Sequence, residues 1–257
     1  MPEGPEIRLE ADKIQKAVAG QVALEVWCAL EPTAKAAAAL SGRQVLKVES
    51  WGKAMLTHFE GGRVIYSHNQ LYGKWWVKKA GVLPNTNRSL RLAIHNSKKS
   101  ALLYSASDIE VLDADRLHEH PFLGRLGPDL LSHDVSIEDV EERLADKRFS
   151  GRQLAAVLLD QGFVAGLGNY LRAEVLHTSG IDPKRKAKNL DADERRLLAT
   201  EILRITRQSY ETRGLTNSLE RIERLKAEGL TRGRYRFHVY KRDGRDCYRC
   251  DGEVVRQ

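Results

Sequence analysis

Leu158-Leu159-Asp160-Gln161-Gly162-Phe163-Val164-Ala165-Gly166-Leu167-Gly168-Asn169-Tyr170-Leu171-Arg172-Ala173-Glu174-Val175-Leu176 joins two apolar segments through a glycine turn. The spacing of its apolar residues and of those before it predicts helices over residues 151–159 and 170–177. Gly166 and Gly168 let the backbone approach another surface closely, and amides at the start of the second helix can hold a phosphate. The turn could equally do no more than join its helices. On either side the period stays helical, from Ser136 to Ala145 and from Asp191 to Tyr210. The chain beyond Pro121 therefore reads as a helical domain.

Towards the N-terminus the period changes. Between about Gln21 and Asp113 short runs rich in Val, Ile, Leu, Thr and Trp alternate with turn residues such as Glu60-Gly61-Gly62 and Pro84-Asn85. Strands are predicted over Val45 to Glu49, Ala54 to Phe59, Arg63 to Tyr66, Leu90 to Ile94 and Ala101 to Tyr104, enough for a β-sandwich or barrel. Ahead of them, Ile7, Ala11, Ile14 and Val18 recur at spacings of four, three and four, which is one face of a helix. Two prolines and two glycines in His120-Pro121-Phe122-Leu123-Gly124-Arg125-Leu126-Gly127-Pro128 mark the linker. After Gly233 the alternation Arg234-Tyr235-Arg236-Phe237-His238-Val239-Tyr240 predicts a strand leading to Cys247. The fold class is α+β, with domains over 1–120, 121–232 and a small hairpin over 233–257.

The chain has 257 residues, 42 Lys and Arg against 35 Asp and Glu, and a formal charge of +7, a surplus that suits a polyanionic partner. No apolar run nears the roughly 20 residues that span a bilayer, and the acidic start Met1-Pro2-Glu3-Gly4-Pro5-Glu6 is the reverse of a secretion signal. The reading is a cytoplasmic protein with no membrane partner. Three cysteines make no disulfide framework, and Cys28 within an apolar stretch reads as a small buried hydrophobe.

Chemistry concentrates at the start of the chain. Removal of Met1 before Pro2 would expose a secondary amine able to attack an aldehyde carbon, with a pKa of about 7.7–8.0 that leaves a neutral fraction at physiological pH. Glu3 and Glu6, one helical turn apart beside it, can protonate a leaving group or an opened sugar, or can simply complement the helix dipole. Lys53, after Trp51-Gly52, could be a phosphate contact, a proton donor or a solvated lysine. Ser67-His68-Asn69-Gln70-Leu71-Tyr72-Gly73 suits filling the hole left by a flipped base, or a hairpin turn. Lys184-Arg185-Lys186-Ala187-Lys188 is a positive run open to a solvated-loop reading, and His118 with His120 reads as structural. Cys247-Tyr248-Arg249-Cys250 is half of a zinc knuckle: a four-coordinate structural zinc needs two further ligands, and the residues after Cys250 include no Cys or His.

Together MPEGPE, GKAMLTHF, YSHNQLYG, HPFLGRLGPD, LLDQGFVAGLGNYLRAEVL and CYRC, in this order and across the whole chain, resemble the formamidopyrimidine-DNA glycosylase and endonuclease VIII family. The resemblance implies a β-sandwich domain behind an N-terminal helix, then a helical domain with a helix–two-turns–helix motif and a zinc-finger hairpin, incomplete here. It implies a bifunctional glycosylase and abasic-site lyase of base excision repair, with Pro2 as Schiff-base nucleophile, Glu3 as general acid and Lys53 as proton donor. Gln70, Arg125 and Asn169 would contact DNA, and Leu71 and Tyr72 would fill the vacated stack. Asn69-Gln70-Leu71-Tyr72 and Tyr170-Leu171-Arg172 are nearer the endonuclease VIII branch, so oxidised pyrimidines in duplex DNA are the implied substrate. The implied partner is double-stranded DNA with oxidised bases or abasic sites, gripped by a monomer in a basic cleft between the domains. No cofactor is needed for the chemistry, and zinc would be structural, with Cys247 and Cys250 as two of its four ligands. The family's second Cys pair and the arginine linked to δ-elimination have no counterpart in the 257 residues, so the implication extends to β-elimination.

Overall fold

The computed structural model describes residues 2–250 and 252–256, so removal of Met1 and any continuation past Gln257 lie outside the described residues. Ile7, Ala11, Ile14 and Val18 all fall on the buried face of helix α1 (Gly4–Val18), as their spacing requires. The strands that follow are β1 (Glu25–Cys28), β2 (Val45–Trp51), β3 (Ala54–Phe59), β4 (Arg63–His68), β5 (Lys74–Lys79), β6 (Leu90–His95), β7 (Lys99–Tyr104) and β8 (Asp108–Asp113), with a short helix α2 (Thr33–Ala38) after β1. They form two four-stranded antiparallel sheets, ordered β1-β6-β7-β5 and β2-β3-β4-β8. Val26, Leu92 and Ile94 of the first sheet share one core with Val45, Met55, Phe59 and Ile65 of the second and with α1, which makes this half a sandwich. Cys28 is buried in the same core, and burial pushes its thiol pKa up. At the sheet edge Asp113 of β8 pairs with Arg63 of β4 at 2.6 Å.

The chain divides into two compact units, one up to Arg125 and one from Leu126 onward, the first closing with 3₁₀ turns over Ala114–Glu119 and Leu123–Arg125. The second unit contains α3 (Ile137–Ala145), α4 (Lys147–Ser150), α5 (Leu154–Val157), α6 (Asn169–Ser179), α7 (Ala192–Glu211), α8 (Leu219–Ala227) and α9 (Arg232–Tyr235). Ser136 caps α3 and Asp191 caps α7, each in a reciprocal box with an acid three residues on, which fixes both starts. Leu144, Phe149, Leu154, Phe163, Leu171 and Ile202 meet in its core. Among the described residues no helix is long and apolar enough to cross a membrane.

Two expectations need correction. Residues 151–159 give only the four-residue α5, because the amides of Leu154 and Ala155 donate to the carbonyls of Arg185 and Pro183 instead of continuing a helix from Gly151. The Lys184–Lys188 run is thus a strap against α5. It is held also by a bridge between Gln153 and Lys186 and by the Arg185–Glu194 ion pair. Residues 234–240 form no strand: α9 ends at Tyr235, and the amides of His238, Val239 and Tyr240 all donate to the carboxylate of Glu174 on α6 at 2.7–2.9 Å. The alternating aromatics pack on that helix, with Phe237 and Tyr240 at 5.4 and 6.1 Å from the Tyr170 ring. A period of two was present, but a carboxylate rather than a neighbouring strand took the amides.

Candidate active site and nucleic-acid interface

Glu3 is the N-cap of α1, in extended backbone, and it is 3% exposed. Its carboxylate accepts the Glu6 amide, and its own amide donates to Oε2 of Glu6 at 3.1 Å. The helix-end role open to these two acids is therefore realised, and the same box fixes the Glu3 carboxylate one residue from the half-buried Pro2. Oriented amides at the helix start disfavour positive charge on a neighbouring amine.

Lys53 enters β3 from a turn in which Gly52 has φ +58, a left-handed conformation that glycine reaches without a Cβ clash. Its side chain is not solvated: the residue is 8% exposed, and burial lowers its pKa against the opposing charge of Glu3. Pairing of Ala54 with His68 and of His68 with Asp108 sets Lys53, His68 and Asp108 at one end of the second sheet. Burial lowers the His68 pKa, Asp108 raises it and Lys53 lowers it further. Within one unit, then, the charge of the buried Glu3 carboxylate acts on the buried Lys53 amine, and that of Lys53 acts on the His68 imidazole.

Directly after β4, Gln70 has φ +50 and stands in a tight loop from Asn69 to Gly73, with Leu71 and Tyr72 exposed. Arg125 is exposed too, its Nε donating to the Pro121 carbonyl at 2.5 Å. His120 is structural, as expected: its Nδ1 accepts the amides of Phe122 and Leu123 at 3.2 Å, and its ring lies 4.4 Å from that of Tyr66.

In the second unit Asn169 is the exposed first residue of α6, whose first turn has no acid. Gln161 shapes the glycine turn before it, because its Nε2 donates to the carbonyls of Leu159 and Leu167 at 2.9 Å while Oε1 accepts the Gly166 amide at 3.1 Å. Gly166 has φ +105, which excludes a side chain there. An exposed Asn169 and a first turn without an acid make a helix start that suits an anion. Reading the sequence missed Gln161 and Glu174. A glutamate inside the apolar run Leu171 to Leu176 was a usable sign, whereas a single glutamine in a loop was none.

Cys247 and Cys250 lie in a turn closed by the Asp246–Glu253 bridge and by the Cys247 amide donating to Gly252 at 2.8 Å. Their sulfurs suit zinc in chemistry. Among the described residues, however, no group of three or more His, Cys, Asp or Glu could hold a metal ion, so the residues described do not make up a closed tetrahedral site.

Residues 1–107 match the formamidopyrimidine-DNA glycosylase N-terminal domain, and residues 126–220 match the formamidopyrimidine-DNA glycosylase H2TH domain. Over 254 residues the chain is 46% identical to Endonuclease 8 of Klebsiella pneumoniae and 47% identical to Endonuclease 8 of Shigella flexneri, covering 99% of this chain and 93% of each relative. Its fold is that of Lactococcus lactis Fpg, solved in a complex with an oxidised-pyrimidine-containing DNA, at a TM-score of 0.80 and 20% identity over 99% of this chain and 93% of that one. The same enzyme in a complex with abasic-site-containing DNA superposes at a TM-score of 0.79 with 21% identity over 98% and 93%. With both family models matched and nearly half of all residues shared with Endonuclease 8 from end to end, this chain belongs to the formamidopyrimidine-DNA glycosylase and endonuclease VIII family, the DNA glycosylase/AP lyases of base excision repair.

Proposed function

We propose that the chain removes oxidised pyrimidines from duplex DNA through a Schiff base on Pro2 and then cuts the strand by β-elimination. The nitrogen lone pair of Pro2 attacks C1′ of the flipped nucleotide, and the C1′–base bond breaks with its electron pair leaving on the base. Glu3 supplies a proton to the leaving group or to the opened sugar oxygen. The adduct loses the amine proton and the C1′–O4′ bond breaks, its electron pair going to O4′, which is protonated. Because the amine is secondary, the C1′=N that results is an iminium with a fixed positive charge, which acidifies the C2′ proton. Loss of that proton forms the C2′–C3′ double bond and expels the 3′ phosphate. Water then releases Pro2, and Lys53 serves as proton donor in these steps. No step requires a metal.

The observation that carries this reading is that two buried groups of opposite charge, the Glu3 carboxylate and the Lys53 amine, act on one another, with Glu3 directly following Pro2 in the chain. In the second unit, Asn169 at the head of α6 supplies phosphate binding, and Arg125 together with Gln70, Leu71 and Tyr72 supplies contacts around the lesion. Pyrimidines are favoured because relatives sharing 45–47% of residues are named Endonuclease 8, whereas the Fpg structures share about one residue in five. Single-turnover excision from thymine glycol and 8-oxoguanine duplexes tests the choice. The thymine glycol duplex should react faster by about tenfold or more, the scale on which a shaped pocket separates substrates. Faster release of 8-oxoguanine would reassign the chain to purines.

A further inference from the structure

Helix α1 carries a third carboxylate that the chemistry above does not use. Glu3, Glu6 and Glu10 follow one another at spacings of three and four, which sets them along one side of the helix. Glu10 accepts a hydrogen bond from Nδ2 of Asn69 at 2.7 Å, and Asn69 is 3% exposed. Asn69 is also the foot of the loop before β5. Its carbonyl accepts the Gly73 amide at 2.7 Å, and a Cβ at Gly73 would lie 2.5 Å from that oxygen, so the turn closes only on glycine. The Gln70 amide donates to Nδ1 of His68 at 3.1 Å, Ser107 Oγ donates to Gln70 Oε1 at 2.8 Å, and Arg88 donates to the Tyr72 carbonyl. On this fixed backbone Leu71 and Tyr72 stand 63% and 69% exposed.

We infer that Glu10 is a positioning residue: through Asn69 it holds the Asn69–Gly73 loop in the form that enters the duplex when the lesion leaves the stack. The inference rests on the proposed glycosylase reading and adds to it a named device for filling the stack. The contacts of Gln70 and Tyr72 are exposed to solvent, whereas the Glu10–Asn69 contact is partly buried and comes from the helix that begins beside Pro2. It therefore ties the wedge to the reacting end of the unit. Burial pushes Glu10 up to about 7, against the Asn69 hydrogen bond and the charges of Lys13 on the same helix and Lys74 on β5, with Glu6 adding to the rise. The carboxylate is the stronger acceptor, so the hold on Asn69 tightens as pH rises through that value.

The test uses the full chain on a thymine glycol duplex with 2-aminopurine beside the lesion, whose fluorescence rises as the stack opens and is filled. Glu10→Ala should slow that phase about tenfold, the scale of a lost hydrogen bond to a charged group, while borohydride trapping on a single-stranded abasic oligonucleotide stays as in wild type. Glu10→Gln keeps an acceptor without the charge, so it should be slowed less and should lose the rise of the fluorescence phase between pH 6 and 8 expected of a group near 7. If Glu10→Ala unfolds in a thermal melt, the Gln variant carries the test alone. A fluorescence phase unchanged in both variants, with its pH dependence kept in Glu10→Gln, overturns the inference. Failure of wild type to trap on the duplex would instead overturn the Pro2 reading, so the two failures are distinct.

Discussion

Lys53 follows Gly52 at the start of β3, yet its ammonium is nearly closed off from water. Burial lowers its pKa and Glu3 raises it, so the folded value lies below the 10.5 of a free lysine. The unfolded chain then binds more protons between the folded value and 10.5, and this residue's effect makes stability rise with pH through that window. Two outcomes follow for a titration followed by NMR at the side-chain Nζ. The amine should lose its proton below the free-lysine value, and Glu3→Gln, by removing the opposing charge, should move it lower still. Lys53→Ala should slow turnover by about a hundredfold, the usual scale for loss of a positioned proton donor. A normal titration unaffected by Glu3→Gln would mean that the two groups do not share a site. The sequence indicated Pro2, Glu3 and Lys53 by their order and neighbours, but it left Lys53 open to being a solvated lysine. Burial is set by the sheet register that pairs Ala54 with His68, and no local pattern around residue 53 contains that register.

At the scale of elements, legibility followed who takes the backbone amides. The apolar spacings of α1, α3 and α7 are local, so the helical period sufficed, and the caps at Ser136 and Asp191 fix the starts of α3 and α7 in the structure. Strand β5 escaped notice because Lys74, Lys78 and Lys79 dilute an apolar centre, although Lys74 and Lys78 lie over the Trp76 ring at 4.5 and 5.4 Å. The segment after α9 misled for the opposite reason: its alternation is real, but Glu174, fully buried and sixty-odd residues away in sequence, gathers its amides. Thr216 Oγ1 donates to the same carboxylate. Glu174→Leu would leave four donors without that acceptor in a buried setting, at a cost of about 3–5 kcal/mol. Urea denaturation should show this as a lower midpoint with the same slope. A loss under about 1 kcal/mol, the scale of an ordinary surface change, would show that Glu174 does not hold this segment.

Across the whole molecule, the two matched family models and the excess of 42 basic over 35 acidic residues describe a protein that works on a polyanion. Binding to undamaged duplex should fall with salt at a log–log slope of about −0.9 per phosphate neutralised. Asn169→Ala, which removes the exposed side chain at the head of α6, should weaken binding to damaged and undamaged duplexes alike. A flat salt response would contradict the phosphate-binding account. The central claim, however, is that one secondary amine performs both reactions, and borohydride trapping on thymine glycol duplex measures it directly. Protein that begins at Pro2 should give a stable covalent adduct with the strand. Protein that keeps Met1 or carries an N-terminal tag should bind the same duplex and give none. Normal adduct formation by the blocked protein would make a lysine the nucleophile and contradict the assignment of Pro2.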